Sequence, residues 1–250
     1  MSKNYNSTLQ TNNSSLEEII TQLNNLPDAN AFYNEFWDNY QDKGSRTNYQ
    51  YGFAGWRDEN FYPKYDIVLG VGYHGAYMFY DCRCEDLTQR FEDCGVVFDT
   101  SKCGDIYQMF GAFRGKRVPR IDCSSSMNYN RGAQYLFSNV SNLETVDTLV
   151  LQENTSLTGA FNNCKTLKNI TIEGTIGQTL DMKSCSVLTK NSIISVINAL
   201  STNTNALSVT FSLQAVDFAF ETSNNAGDGS FTNEWKALVA TKSNWNISLV

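Results

Sequence analysis

Between Gln134 and Gly174 the chain writes one apolar pattern twice. Phe137, Val140, Leu143 and Val146 fall at three-residue steps and lead into Leu149–Leu151. Phe161, Cys164, Leu167 and Ile170 repeat those steps and lead into Ile172. The two Phe residues lie 24 positions apart. Self-similarity at that period predicts stacked repeats of leucine-rich type. One such repeat cannot bury its apolar face alone, so its neighbours must supply the other half of the core. Extending the alignment gives Phe79, Phe110, Phe137 and Phe161, with spacings of 31, 27 and 24. The expectation is that these four rings share one interior column.

Other periodicities place further elements. Leu16, Ile19, Ile20, Leu23 and Leu26 form a helical stripe, capped by Ser14 or Ser15 and stopped by Pro27. This helix either caps the stack or serves as a short oligomerising helix; it is too short for a coiled coil. Phe32, Phe36 and Tyr40 predict a second, aromatic helix. Residues 41–66 are punctuated by Gly44, Gly52, Gly55 and Pro63 and are rich in Tyr, Phe and Trp. They predict a compact cap, with an exposed aromatic contact site as the alternative. Ile67–Leu69, 96–98 and 180–182 predict short strands. Near the C-terminus the pattern predicts a helix over 191–200, a strand over 208–212, a helix over 231–239 and a strand over 245–249. That alternation implies parallel pairing. The expected fold is therefore an α/β solenoid with short parallel strands. Its three segments are a tail and short helix (residues 1–27), an aromatic N-terminal cap (28–66), and a leucine-rich-repeat solenoid with helical C-terminal coils (67–250).

Composition changes the picture in one direction. Only 18% of the 250 residues are charged, and the net charge is −7. Asn, Ser and Thr fill the gap, which suits a contact surface. The acidic balance argues against a nucleic-acid partner, since phosphate calls for a Lys/Arg field. No apolar run reaches the length of a membrane span, so no membrane insertion is expected. The N-terminal residues carry no apolar signal core, so synthesis in a reducing cytoplasm is expected, with any exit by a route other than a signal peptide.

Candidate chemistry is sparse. The seven cysteines, at 82, 84, 94, 103, 123, 164 and 185, include no C-x-x-C pair, and His74 is the single histidine. Neither a zinc site nor a Cys-His nucleophile is expected; Cys164 and Cys185 fit small apolar core positions. Gly70-Val71-Gly72-Tyr73-His74-Gly75 matches the letters of a dinucleotide-binding loop, with Glu92 or Asp93 as the ribose-binding acid. That fingerprint requires a helix directly after the glycines, and residues 76–84 make a poor one. The alternative is a turn in which glycine supplies φ > 0. Glu85-Asp86 and Glu92-Asp93 are the acids a glycosidase would draw on, although adjacent carboxylates usually lie on a solvated turn. The Gly227-Asp228-Gly229 loop has too few carboxylates for calcium. The Asn154 and Asn169 sequons are expected by chance in so Asn-rich a chain. The expectation is no enzyme, no cofactor, no metal and no catalytic residue.

The repeat Phe161-Asn-Asn-Cys164-x-x-Leu167-x-x-Ile170, followed by Ile172-Glu-Gly174, resembles BspA-like leucine-rich repeats. Phe36 to Tyr49, Phe53 to Trp56, Phe61 to Asp66 and Ile172 to Gly177, taken together, are similar to leucine-rich-repeat proteins of tailed phages and prophages of gut Firmicutes. Residues 67–105, with their glycines and four cysteines, depart from the repeat. The resemblance implies a virion protein. Its N-terminal segment would attach to other virion proteins, and its solenoid would bind a host surface glycan or protein at the tail. Self-association into a homo-oligomer is a further partner expectation. Capsid decoration or a head-fibre role is the first alternative. A glycan-cleaving enzyme and a bacterial surface adhesin are the others. A pair of carboxylates facing each other across a groove, about 5–10 Å apart, favours the enzyme; an unbroken polar or aromatic face favours a binder.

Overall fold

Among the described residues, five phenylalanine rings stack through the core, and the chain is arranged around them. The computed structural model describes residues 52–56, 61–63, 65–71, 75–125, 131–203, 207–220 and 232–250. Phe79, Phe110, Phe137 and Phe161 lie in one column, with ring centroids 5.4, 5.7 and 5.7 Å apart. The column begins one ring earlier than the aligned four, because Phe53 stacks on Phe79 at 5.2 Å. All five are essentially inaccessible to solvent. Burying each ring contributes about 1.5–3 kcal/mol, and ring-on-ring contact adds roughly 0.5–1.5 kcal/mol per pair.

The architecture is mixed α/β, with short parallel strands in three sheets and, among the described residues, four helices. β1 (Ile67–Val68) pairs with β2 (Phe98–Asp99). β3 (Arg117–Val118) and β4 (Ile121–Asp122) both pair with β5 (Thr145–Leu151), which pairs with β6 (Asn169–Gly174). β7 (Leu180–Met182), β8 (Leu207–Phe211) and β9 (Trp245–Leu249) form the third sheet in that order. β3 and β4 are one strand interrupted at Pro119, which has no N–H to give to the ladder. Opposite the break, the β5–β6 register shifts between Val146 and Leu149. Val146, Leu149 and Leu151 still point inward, and Asp147 is left on the outer face.

Helix α1 (Leu87–Cys94) occupies the stretch that departs from the repeat. Asp86 caps it by accepting from the Gln89 N–H at 2.9 Å, and Gly95 ends it at φ 62°. Leu87 and Phe91, one turn apart, face the core. Helices α2 (Lys190–Ala199), α3 (Leu213–Phe220) and α4 (Asn233–Ala240) accompany the third sheet. The C-terminal strands and the helices α2 and α4 lie within a residue or two of their expected positions; α3 was not expected. Lys242 is buried, and its ammonium donates to the carbonyls of Asn198 and Leu200 at the end of α2. Trp245 Nε1 donates to Ser201 O at 2.8 Å. These bonds tie the last strand to the helix end, where backbone carbonyls lack intrahelical partners.

The expected helices over 14–26 and 28–40 lie outside the described residues. Of the aromatic cap, Phe53, Trp56 and Phe61 are buried against one another, with Phe53 and Phe61 meeting edge to face at 5.0 Å. Those three side chains serve the core and present no contact site.

Candidate functional site

Each layer of the stack has a strand side and a turn side, and the two are built differently. On the turn side, the residues two before and two after the column Phe have positive φ in four successive layers. They are Tyr77 and Asp81, Gln108 and Ala112, Tyr135 and Asn139, and Gly159 and Asn163. A run of i→i+3 turns produces this, because a turn of type II needs φ > 0 at its third position. Met78 N–H to Gly75 O and Cys82 N–H to Phe79 O are two such bonds, with Tyr77 and Asp81 at the third positions. Alternate N–H groups are then free to point along the stack. Tyr77, Phe79 and Asp81 donate to Tyr107, Met109 and Gly111, and Tyr135, Phe137 and Asn139 donate to Thr158, Ala160 and Asn162.

The side chains on this edge are mostly aromatic or uncharged, and its charged groups are paired, Asp81 with Arg114 and Asp105 with Arg131. Tyr77, Tyr107 and Tyr135 are half-buried and form a ladder, with centroids 5.4 and 5.8 Å apart. The Arg131 guanidinium lies 4.7 Å over Tyr107 and pairs with Asp105, whose side chain is fully buried. Gln134 donates to Ser156 Oγ at 3.0 Å. Burial, and then the Asp81 charge, raise the Tyr80 pKa above its ordinary value.

The strand side is charged, and its charges are cross-linked between layers. Arg117 Nε donates to Asp147 Oδ1 at 2.7 Å, and Thr88 donates to the other oxygen of Asp147, also at 2.7 Å. Asp86 approaches Arg117 at 3.8 Å. Arg120 bridges to Glu173, Lys116 to Glu85, and Lys168 to Glu144. The bond from Asp147 pushes the Arg117 pKa up, and the bond from Lys168 lowers that of Glu144. Pairs this exposed contribute little one by one.

Hydroxyls complete the strand side where strands are missing. Thr100 is buried, and its Oγ1 both accepts from the Asp122 N–H at 2.7 Å and donates to the Asp122 carbonyl at 3.0 Å. Past β6 the next layer offers α2 in place of a strand. Ser192 Oγ accepts from Ile170 N–H at 2.9 Å and donates to Lys168 O at 3.0 Å. Ser195 Oγ accepts from Ile172 N–H at 2.8 Å. Two serines three apart on one helix thus stand in for a strand and close the β6 edge, which would otherwise offer unpaired backbone to another chain.

The residues singled out in the sequence are dispersed. Gly72, Tyr73 and His74 lie outside the described residues, as does the Gly227–Gly229 loop. Turns, and no helix, follow Gly75 at 76–81, so the context of a dinucleotide loop is missing. The turn reading needs a correction at Gly75, which does not have positive φ. It is small because a Cβ there would collide with Met109 Cε and crowd Leu69 and Ile106. Glu85 pairs with Lys116 and Asp86 caps α1; Glu92 and Asp93 are exposed on that helix, and Asp93 accepts from Gln89. Neither acidic pair lies on a bare turn.

None of the seven cysteines is in a disulfide; six are buried and Cys94 is half-buried. Burial pushes the Cys84 thiol up to about 12, raises Cys82 further, and raises Cys123 and Cys164 well above the usual thiol value. Such thiols are protonated at neutral pH and inert as nucleophiles. Cys164 donates instead to Phe137 O at 2.9 Å. Among the described residues, no group of three His, Cys, Asp or Glu side chains is placed to hold a metal ion. None of the described helices is long and apolar enough to cross a membrane.

Two features of the site escaped the sequence. The left-handed positions are occupied mainly by Tyr, Asp, Gln, Ala and Asn, so glycine did not flag them. The serine substitutes for a strand look like ordinary polar positions on an amphipathic helix. No family model matches the chain, and neither a curated protein nor a solved structure matches it.

Proposed function

We propose that the chain is a leucine-rich-repeat solenoid that works by binding, as a tail-associated virion protein of a tailed phage. Its N-terminal segment joins other virion proteins, and its stacked layers face a host surface glycan or protein. The virion assignment rests on the sequence resemblance. The binding role rests on one observation: the outward side chains are already locked, layer to layer, by bonds among themselves. On the strand side the carboxylates of Asp86 and Asp147 have Arg117 between them, and those of Asp122 and Glu173 share Arg120. A hydrolase needs one of two facing acids protonated and the other free to act as base or nucleophile. Here the Arg117 guanidinium lies between Asp86 and Asp147 and pairs with both, so neither faces open space as a partner of the other. What remains is a rigid surface whose groups are fixed before a partner arrives, which lowers the entropic cost of association.

Antibody-gold labelling of intact particles, combined with adsorption of the purified full-length chain to host cells, tests this. Label at the tail tip and saturable adsorption are expected. Label on the capsid moves the protein to head decoration. Absence of label from every particle sinks the virion role.

A further inference from the structure

We infer that the turn side is a saccharide-binding edge whose stacking platforms are Tyr77 and Tyr135. This deepens the binding role proposed above by naming the partner's chemical class: an uncharged, hydroxyl-rich linear oligosaccharide. The first argument is conformational. The position two before the column Phe has φ of 57° at Tyr77, 49° at Gln108, 54° at Tyr135 and 64° at Gly159. Gly159 adopts this region without strain, and its missing Cβ leaves room for the Tyr135 ring. A tyrosine in the left-handed region is unfavourable, and such strain concentrates where a side chain serves binding or catalysis. Two of the four layers nevertheless place a phenol at that position.

The second argument is the chemistry of the edge. Tyr107, under the Arg131 guanidinium, meets both platforms edge to face at interplanar angles of 71° and 73°, and the step from ring to ring is close to the rise of one sugar residue in an extended chain. An aromatic face takes the C–H face of a pyranose, and rings with two side-chain torsions lose little freedom in doing so. Gln108, Gln134 and Asn139 border the ladder with uncharged donors and acceptors of the kind hydroxyls use. The charges on this edge are compensated, Asp105 by Arg131 and Asp81 by Arg114. Nothing there selects an anionic or cationic ligand. A protein partner would seek exposed apolar anchors. Among the described residues, the most exposed of these, Phe218, Val71 and Val250, lie outside the turn-side segments.

Calorimetric titration of the purified full-length chain with the β-1,4-linked hexasaccharides of glucose and of N-acetylglucosamine tests the inference. Tyr77→Asn and Tyr135→Asn are the informative variants, because Asn tolerates the left-handed region and the fold is retained; a thermal melt verifies that. Arg120→Gln on the strand side is the control. The wild type is expected to bind at least one probe, each Tyr variant to bind about tenfold more weakly, and the control to bind as the wild type does. If neither hexasaccharide binds, or if well-folded Tyr variants bind like the wild type, the inference is overturned. Adsorption to host cells that survives periodate oxidation of their glycans also overturns it in favour of a protein ligand, and leaves the receptor-binding role standing. Hexasaccharide binding without any virion label or cell adsorption supports the edge and removes the phage role.

Discussion

The strand side and the turn side face the same problem and solve it with different currencies. Both must hand backbone hydrogen bonds from one layer to the next around a shared phenylalanine column. The strand side does so with parallel pairs, and with Thr100, Ser192 and Ser195 where a strand is lacking. Its weak points are therefore buried polar groups that must be satisfied. The turn side does so by bending every layer into consecutive turns, so its weak points are residues held at positive φ. Substitutions should consequently have opposite signs on the two sides. Removing a side chain's hydroxyl is harmful on one, and removing a side chain altogether is helpful at chosen places on the other.

The largest effect is expected where the two sides share one element. Phe110 stacks on Phe79 and Phe137 and meets Phe113 edge-on. Phe110→Ala should cost about 3–5 kcal/mol, enough to unfold a marginal domain. Denaturant titration followed by circular dichroism would show both sides melting together. If the chain instead lost only one sheet, the column would not be the common core.

That column was legible because its signal is large and periodic: a Phe recurs, and Leu and β-branched residues follow at fixed steps. The same holds for β7 to β9, α2 and α4, where apolar spacing alone sets the element. Cys164 and Cys185 were readable as small core residues and are both buried. α1 was missed although Asp86, Leu87, Phe91 and Gly95 spell a cap, a stripe and a stop; eight residues and four nearby cysteines obscured them. α3 was missed because Leu213–Phe220 is apolar on more than one face, leaving Phe218 81% exposed, so its period is indistinct. The tyrosine ladder was not legible at all. Its members are set by which residue falls two or three before a Phe in a turn whose conformation glycine does not announce.

On the strand side, Ser192→Ala orphans the Ile170 N–H, while the Lys168 carbonyl keeps the bond from the Thr189 N–H. An unsatisfied buried group costs about 1–3 kcal/mol, and α2 itself is unharmed, since Ala is the better helix former. Ser195→Ala should cost less, because Ile172 is only half-buried. Hydrogen exchange at Ile170 and Ile172 should quicken in each variant. An unchanged denaturation midpoint for Ser192→Ala would show that water replaces the hydroxyl and that α2 does not stand in for a strand.

The turn side should answer with the other sign. Ala112 sits at φ 53°, two past Phe110, and gains nothing from its methyl group at that angle. Ala112→Gly relieves the left-handed strain and should stabilise by about 0.5–1 kcal/mol net of the entropy glycine loses on folding. Gly174→Ala, on the strand side at φ 83°, is the counterpart. Its Cβ would drive into the Leu151 carbonyl oxygen, so it should destabilise and disturb the β5–β6 pairing. Thermal melts of the two variants, moving in opposite directions, would establish the contrast at the level of single methyl groups.

The smallest effect separates the two kinds of strand-side contact. Glu144 is exposed, and Lys168 holds its carboxyl below the usual carboxylate range. A folded-state pKa that is depressed stabilises above the unfolded value, and that contribution disappears as pH falls through the folded one. Glu144→Gln should therefore differ from the wild type at neutral pH, converge with it in acid, and lose the difference in about 1 M salt, where exposed charges are screened. Ser192→Ala carries no charge and should keep its full deficit under all three conditions. If the Glu144→Gln deficit persisted in acid and in salt, the inter-layer ion pairs would be acting through packing, and charge would not be what distinguishes the strand side.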